Sequence, residues 1–125
     1  MSFELIKDKE IENNFIKETT DAGFEGDVLR QSLNQPVLVA FYSSFNVSCN
    51  QFIEMLSKSI NEVKGKLLLV KVNIDKCPVV TNALQIENIP TTYVFAGGQV
   101  IDGFAGMMPE SEIKLLIEKL ANAAT

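Results

Sequence analysis

An unbroken apolar run, Val37–Tyr42, and a second, largely apolar stretch over residues 67–74 that reads as another buried strand, constrain this chain more than any other feature. A run without polar alternation marks a strand buried on both faces, as in the centre of a parallel sheet. Between the runs, Phe52, Ile53, Leu56, Ile60 and Val63 recur at intervals of three and four. That spacing predicts a helix, and Lys64-Gly65 supplies a cationic last turn and a C-terminal glycine to end it. A first strand is predicted over 14–18. A helix is predicted over 21–34, with Phe24, Val28, Leu29 and Leu33 on its buried stripe and a polar stop at Asn34-Gln35-Pro36. Residues 78–84 read as a short helix with proline in its favoured first turn. Residues 91–95 and 99–104 flank Ala96-Gly97-Gly98, a hairpin signal that makes the last strand pair antiparallel. A final helix over 109–122 would bury Ile113, Leu116, Ile117 and Leu120. The order βαβαβαββα predicts an α/β fold: a mixed parallel/antiparallel central sheet with helices on both faces.

Composition excludes several function classes. At 125 residues the chain fits one domain. A net charge of −5 with no run of Lys or Arg argues against a grip on nucleic acid or an anionic membrane. The N-terminus carries charges where a signal peptide needs an apolar core, and no stretch reaches the ~18 apolar residues of a membrane span, so a cytoplasmic protein is expected. Two cysteines 28 positions apart match neither a disulfide framework nor a zinc motif. With no histidine, the commonest metal ligand and general base is missing. No metal and no cofactor are expected, and a Cys-His protease is excluded.

The element order, the Pro36-Val-Leu-Val strand, the loop running to Cys49, Lys71-Val-Asn-Ile-Asp75, Ile89-Pro90-Thr91 and the Gly-Gly hairpin together resemble thioredoxin over residues 14–121. The resemblance implies the thioredoxin fold. Thioredoxins place Trp-Cys-Gly-Pro-Cys where this chain has Phe45, Asn46, Val47, Ser48 and Cys49. Asn46 then stands for the attacking cysteine, and only the second cysteine remains. Thiol–disulfide turnover needs one thiolate to attack and a second thiol to resolve the mixed disulfide, so the resemblance implies a degenerate site. Asn46 is also among the best helix N-caps, which accounts for it without any recognition role. By the same alignment Ala40 replaces the buried aspartate that accepts a proton. Lys71, the neighbour of that aspartate, is left to reach solvent along its aliphatic stem. Glu54, a good helix former, replaces a kinking proline, so the helix should run straighter.

Pro90 matches the family's cis-proline beside the active site, which implies that a peptide-binding groove outlives the catalysis. Its residues would be Phe45, Val47, Ile89, Pro90, Thr91, Ala105 and Met107, with Met108 nearby. Exposed apolar surface with flexible methionines suits contact with unfolded chains. The same residues could instead cover a neighbouring domain or subunit, or lie partly under the last helix. More narrowly, Val100-Ile-Asp-Gly-Phe-Ala-Gly106 with Met-Met-Pro-Glu-Ser-Glu-Ile113 resembles the bacterial chaperedoxins, also called YbbN or CnoX. Those carry tetratricopeptide repeats after the thioredoxin domain, hold unfolded clients, guard their cysteines and pass them to a chaperonin. This sequence stops at Ala121-Asn-Ala-Ala-Thr125, which reads as the start of a linker over 122–125, from either an excised domain or a short relative.

The thiols leave two readings each. Cys49, in a helix first turn, could be activated by the free N–H groups or be shielded in the core. Chaperedoxins carry a cysteine near the position of Ile74, so Cys77 is a candidate for a mixed disulfide with a client, or a surface thiol of no consequence. A Cys49–Cys77 bridge is not expected, since it needs Cα atoms within ~7 Å. Residues 1–13, with Phe3, Leu5 and Ile6, form an extension that could be a tail, an extra helical turn or a dimer contact. The expected function is a catalytically degenerate, holdase-type polypeptide-binding module. The alternative is a weak monothiol oxidoreductase exchanging with an external thiol such as glutathione.

Overall fold

The computed structural model describes residues 15–123. The unbroken apolar run is the middle of the sheet. β2 (Val37–Tyr42) is buried at all six positions. It pairs in parallel with β3 (Leu68–Asn73) on one side and antiparallel with β4 (Thr91–Ala96) on the other. Both faces of β2 are covered, which is why its sequence does not alternate. β1 (Ile16–Glu18) pairs in parallel with β3, and β5 (Gln99–Ala105) pairs antiparallel with β4, giving the order β1-β3-β2-β4-β5.

Among the described residues, four helical segments cover the two faces. α2 (Val47–Glu62) and α4 (Glu110–Ala123) lie on one, where Leu38, Ala40 and Tyr42 of β2 meet Phe52, Leu56, Ile60, Ile113 and Ile117. α1 (residues 25–33) and α3 (Pro78–Ala83) lie on the other, where Val37, Val39 and Phe41 meet Val28 and Val80. Each fully buried aliphatic or aromatic side chain contributes roughly 1.5–3 kcal/mol. Edge-to-face ring pairs join helical segments to the sheet, Phe24 with Phe95 at 5.9 Å and Phe52 with Phe104 at 6.3 Å, and neighbouring strands to each other, Phe41 with Tyr93 at 5.9 Å.

Punctuation fits the sequence. The hairpin pairs Ala96 with Gln99, leaving the two-residue loop Gly97-Gly98 with φ of +63° and +82°. Positive φ at both loop positions is what a type I′ turn demands. α2 is followed by Lys64 and Gly65 at φ +51° and +92°. A Cβ at Gly65 would lie 2.9 Å from the Phe15 ring. α3 closes with Gln85 at φ +55° and Ile86 N donating to Thr81 O at 3.1 Å, a Schellman turn with a non-glycine left-handed residue.

α1 departs from expectation. Glu25–Arg30 has π geometry and Gln31–Leu33 tightens to 3₁₀. The wider turns lose the 3.6-residue phase, so Val28 is buried while Leu33, expected on the same stripe, is 67% exposed. In α4, Ile113 and Ile117 are buried, Leu116 and Leu120 are half-buried, and Ala121 completes the stripe. The helix runs to Ala123, through the first half of the expected linker. The expected extension over 1–13 lies outside the described residues, as do Asn14, Ala124 and Thr125. Among the described residues no helix is long and apolar enough to cross a membrane.

Candidate functional site

The site forms at the sheet end where β2 and β3 finish and β4 begins. Past Tyr42 the chain is held by its own polar side chains. Ser43 Oγ donates to Asp75 Oδ2 at 2.7 Å, which ties the loop after β2 to the loop after β3. Asn50 Nδ2 donates to Ser44 O at 3.2 Å, which fixes the same loop to the first turn of α2. Asn46 is extended, at φ −110° and ψ 110°, and its Oδ1 accepts from Cys49 N at 3.0 Å. It is an N-cap in geometry as well as residue type. Phe45 and Val47, on either side of the cap, are 87% and 69% exposed, and Ser48 is also exposed.

Across the sheet end, the Ile89-Pro90 peptide is cis. Pro90 O accepts from Gly106 N at 2.7 Å, and Thr91 Oγ1 donates to Asn88 O at 2.6 Å. Thr91 pairs with Phe41 on one side and Ala105 on the other, so the ends of β2 and β5 meet at the start of β4. The expected groove residues therefore divide. Pro90 and Thr91 are buried, and Ile89 is half-buried against the α2–α4 core. Phe45, Val47, Ala105 and Met107 are exposed, while Met108 is half-buried in the same core.

Neither thiol is presented. Cys49 is fully buried in the α2–α4 cluster and Cys77 is buried in the α1–α3 cluster, so the sheet separates them. Both are free. Cys77 Sγ lies 3.7 Å from Thr19 O, to which it donates. Burial pushes its pKa up, and the carboxylates of Asp21 and Glu18 push it the same way. Asp21 in turn accepts from Val79 N at 3.3 Å and Val80 N at 3.0 Å, pinning the start of α3 over the thiol. The reading of Cys77 as a surface thiol is therefore corrected. Residues 19–21 and α3 close over it, and as a buried thiol it is not placed to attack a client. Among the described residues no group of three or more Cys, Asp or Glu side chains is arranged to hold a metal ion.

Residues 15–119 match the thioredoxin family model. This chain belongs to the thioredoxin family. It is 32% identical to thioredoxin 1 of Nostoc over 102 residues, 82% of this chain and 94% of that one. Against a thioredoxin of Streptomyces clavuligerus it is 35% identical over 98 residues, 78% of this chain and 89% of that one. An uncharacterized protein of Mycobacterium tuberculosis is 32% identical over 108 residues, 86% of this chain. The matched region makes up only 36% of that longer relative.

Three features of this thioredoxin-family core escaped the sequence. Lys71 is only 7% exposed, not solvent-reaching as expected, because β3 lies between β1 and β2 and its register neighbours Glu18 and Ala40 sit on the same face. Glu18 is the second, since its Oε1 accepts from Tyr42 Oη at 2.8 Å. The signal for it was the alternation of β1, which puts Glu18 on the face of Ile16. The third is Thr92, paired with Ala40 and fully buried, whose hydroxyl has no partner. α2 runs unbroken through Glu54.

Proposed function

We propose that this thioredoxin-family chain is a polypeptide-binding module of the chaperedoxin type, a holdase-like co-chaperone rather than a dithiol reductase. One observation carries the reading: the loop at the family's active-site end projects Phe45 and Val47 into solvent while it withdraws Cys49 into the core. A large aromatic left exposed beside a valine is apolar surface held ready for a partner. The Asn46 oxygen is engaged by Cys49 N, so the loop is held in shape by a cap and not by a thiol. The buried Pro90 and Thr91 and the exposed Ala105 and Met107 complete a surface suited to extended, apolar chain. Partners on this reading are unfolded polypeptides and, through the chaperedoxin resemblance, a chaperonin, in the cytoplasm. Monothiol exchange is the weaker alternative, because both thiols are buried.

The test is light scattering from a thermally unfolding protein with a stoichiometric amount of this chain. Aggregation should be suppressed, and the double variant Phe45→Ser, Val47→Ser should lose that suppression while keeping its fold. Unchanged aggregation with the native chain would sink the reading.

A further inference from the structure

The turn that ends α3 shapes a second feature beside the groove. Left-handed Gln85 reverses the chain, and Ile86 plugs into the α1–α3 core. Glu87 and Asn88 are thereby carried to the flank of the β4–β5 hairpin. A cavity of about 380 Å³ opens there, walled by Gln85, Glu87 and Asn88 on the loop side and by Tyr93, Gly103 and Ala105 on the sheet side. Thr91 also lines it, so it borders the groove.

Its chemistry is not that of the apolar rim. Tyr93 is half-exposed and its ring is braced at 5.9 Å by Phe41. The ring borders the cavity because residue 103 is glycine: a Cβ at that position would run into it. An aromatic ring attracts a cation, and the attraction grows as water is excluded. The exposed Glu87 brings a carboxylate to the same wall, the only charged side chain among the described residues that line the cavity. The net charge of −5 adds a favourable background for a cation. Ring, carboxylate and side-chain amides together complement a guanidinium or ammonium group more closely than an apolar side chain.

We infer that this cavity receives the side chain of an arginine or lysine from an extended polypeptide lying in the groove. This rests on the polypeptide-binding reading above and adds a preference to it: clients with a basic residue beside an apolar stretch. Glu87 supplies the counter-charge, Tyr93 the aromatic wall, and Gly103 the space that lets the ring stand there.

The test uses two fluorescently labelled apolar dodecapeptides that differ at one central position, arginine in one and its neutral isostere citrulline in the other. Binding to the full chain is read by anisotropy. The arginine peptide should bind about tenfold more tightly, a gap of the size expected for a cation against a ring and a carboxylate. Glu87→Gln, at an exposed position, should shrink the gap several-fold, and Tyr93→Leu should shrink it too. Equal affinity for the two peptides overturns the cation site and leaves the groove standing. A gap that survives both substitutions overturns its assignment to this cavity. Failure of both peptides to bind overturns this inference together with the polypeptide-binding reading.

Discussion

The two faces of the sheet each bury one cysteine, by different means. On the α2–α4 face Cys49 is one apolar-sized side chain in a continuous cluster of Leu, Ile and Phe. On the α1–α3 face Cys77 sits at the mouth of a short helix, against a backbone carbonyl and within the field of two carboxylates. The first face is sealed by two long helices, whereas the second is closed by a six-residue helix and a segment of π and 3₁₀ geometry. The comparison teaches that long helices shield a thiol by packing alone. The short-helix face depends on polar ties, of which the Asp21 cap on α3 is the clearest.

If so, the faces should differ most under cavity-forming substitution. Leu56→Ala removes a fully buried side chain from the first face and should cost roughly 2–5 kcal/mol in urea unfolding. Val80→Ala on the second face removes less from a site that can collapse, and about 1–2 kcal/mol is expected. Equal losses would break the contrast.

Alkaline pH sharpens it further. The Cys77 pKa is raised in the folded state above the ordinary thiol value of 9.0. The unfolded chain therefore releases this proton first as pH rises. The associated stability is complete below about pH 9 and is lost as pH climbs from there through the folded pKa. Cys77→Ala should abolish that alkaline slope, and Cys49→Ala should leave it in place. Native alkylation at neutral pH should be slow at both thiols. No dithiol-dependent turnover of a test disulfide is expected, and turnover abolished by Cys49→Ser would refute the non-catalytic reading.

The cap gives a smaller effect on the first face. Asn46→Ala leaves Cys49 N without its side-chain acceptor and should cost about 1 kcal/mol, whereas Asn46→Asp keeps the acceptor and should be near neutral. Equal behaviour of the two variants in thermal unfolding would mean that the cap contributes nothing.

How legible these features were follows from how local their causes are. β2 could be read at its full length because burial on both faces leaves one signature in consecutive residues. The Asn46 cap was legible because capping depends on one residue type at one position. α1 was not. Asp27 Oδ2 accepts from Thr19 Oγ1 at 2.7 Å and its Oδ1 pairs with Lys17 at 2.9 Å, so contacts with the β1 end bear on its geometry. Such distant partners leave no trace in the spacing of Phe24, Val28, Leu29 and Leu33. Lys71 and Cys77 failed for a related reason: each was judged from its place in the thioredoxin or chaperedoxin pattern, but burial came from Glu18, Ala40 and Thr19, brought near by the sheet register and the loop after β1.

The smallest expected effect concerns two adjacent threonines on opposite faces of β4. Thr91 Oγ1 reaches Asn88 O at 2.6 Å, whereas Thr92 Oγ1, between Ala40 and Phe104, is buried without a partner. A buried hydroxyl that makes no hydrogen bond carries a desolvation penalty of about 1–3 kcal/mol. Valine has the same shape and the same preference for a strand, so Thr92→Val removes the penalty without opening a cavity. It should stabilise the chain by about 1 kcal/mol, seen as a higher urea midpoint at unchanged slope. Thr91→Val should do the opposite, because it leaves Asn88 O without its donor at the edge of the groove. If Thr92→Val instead destabilises, a buried water bridges its hydroxyl to the sheet. The α2–α4 face would then be closed by a polar tie as well, and the contrast between the two faces would narrow.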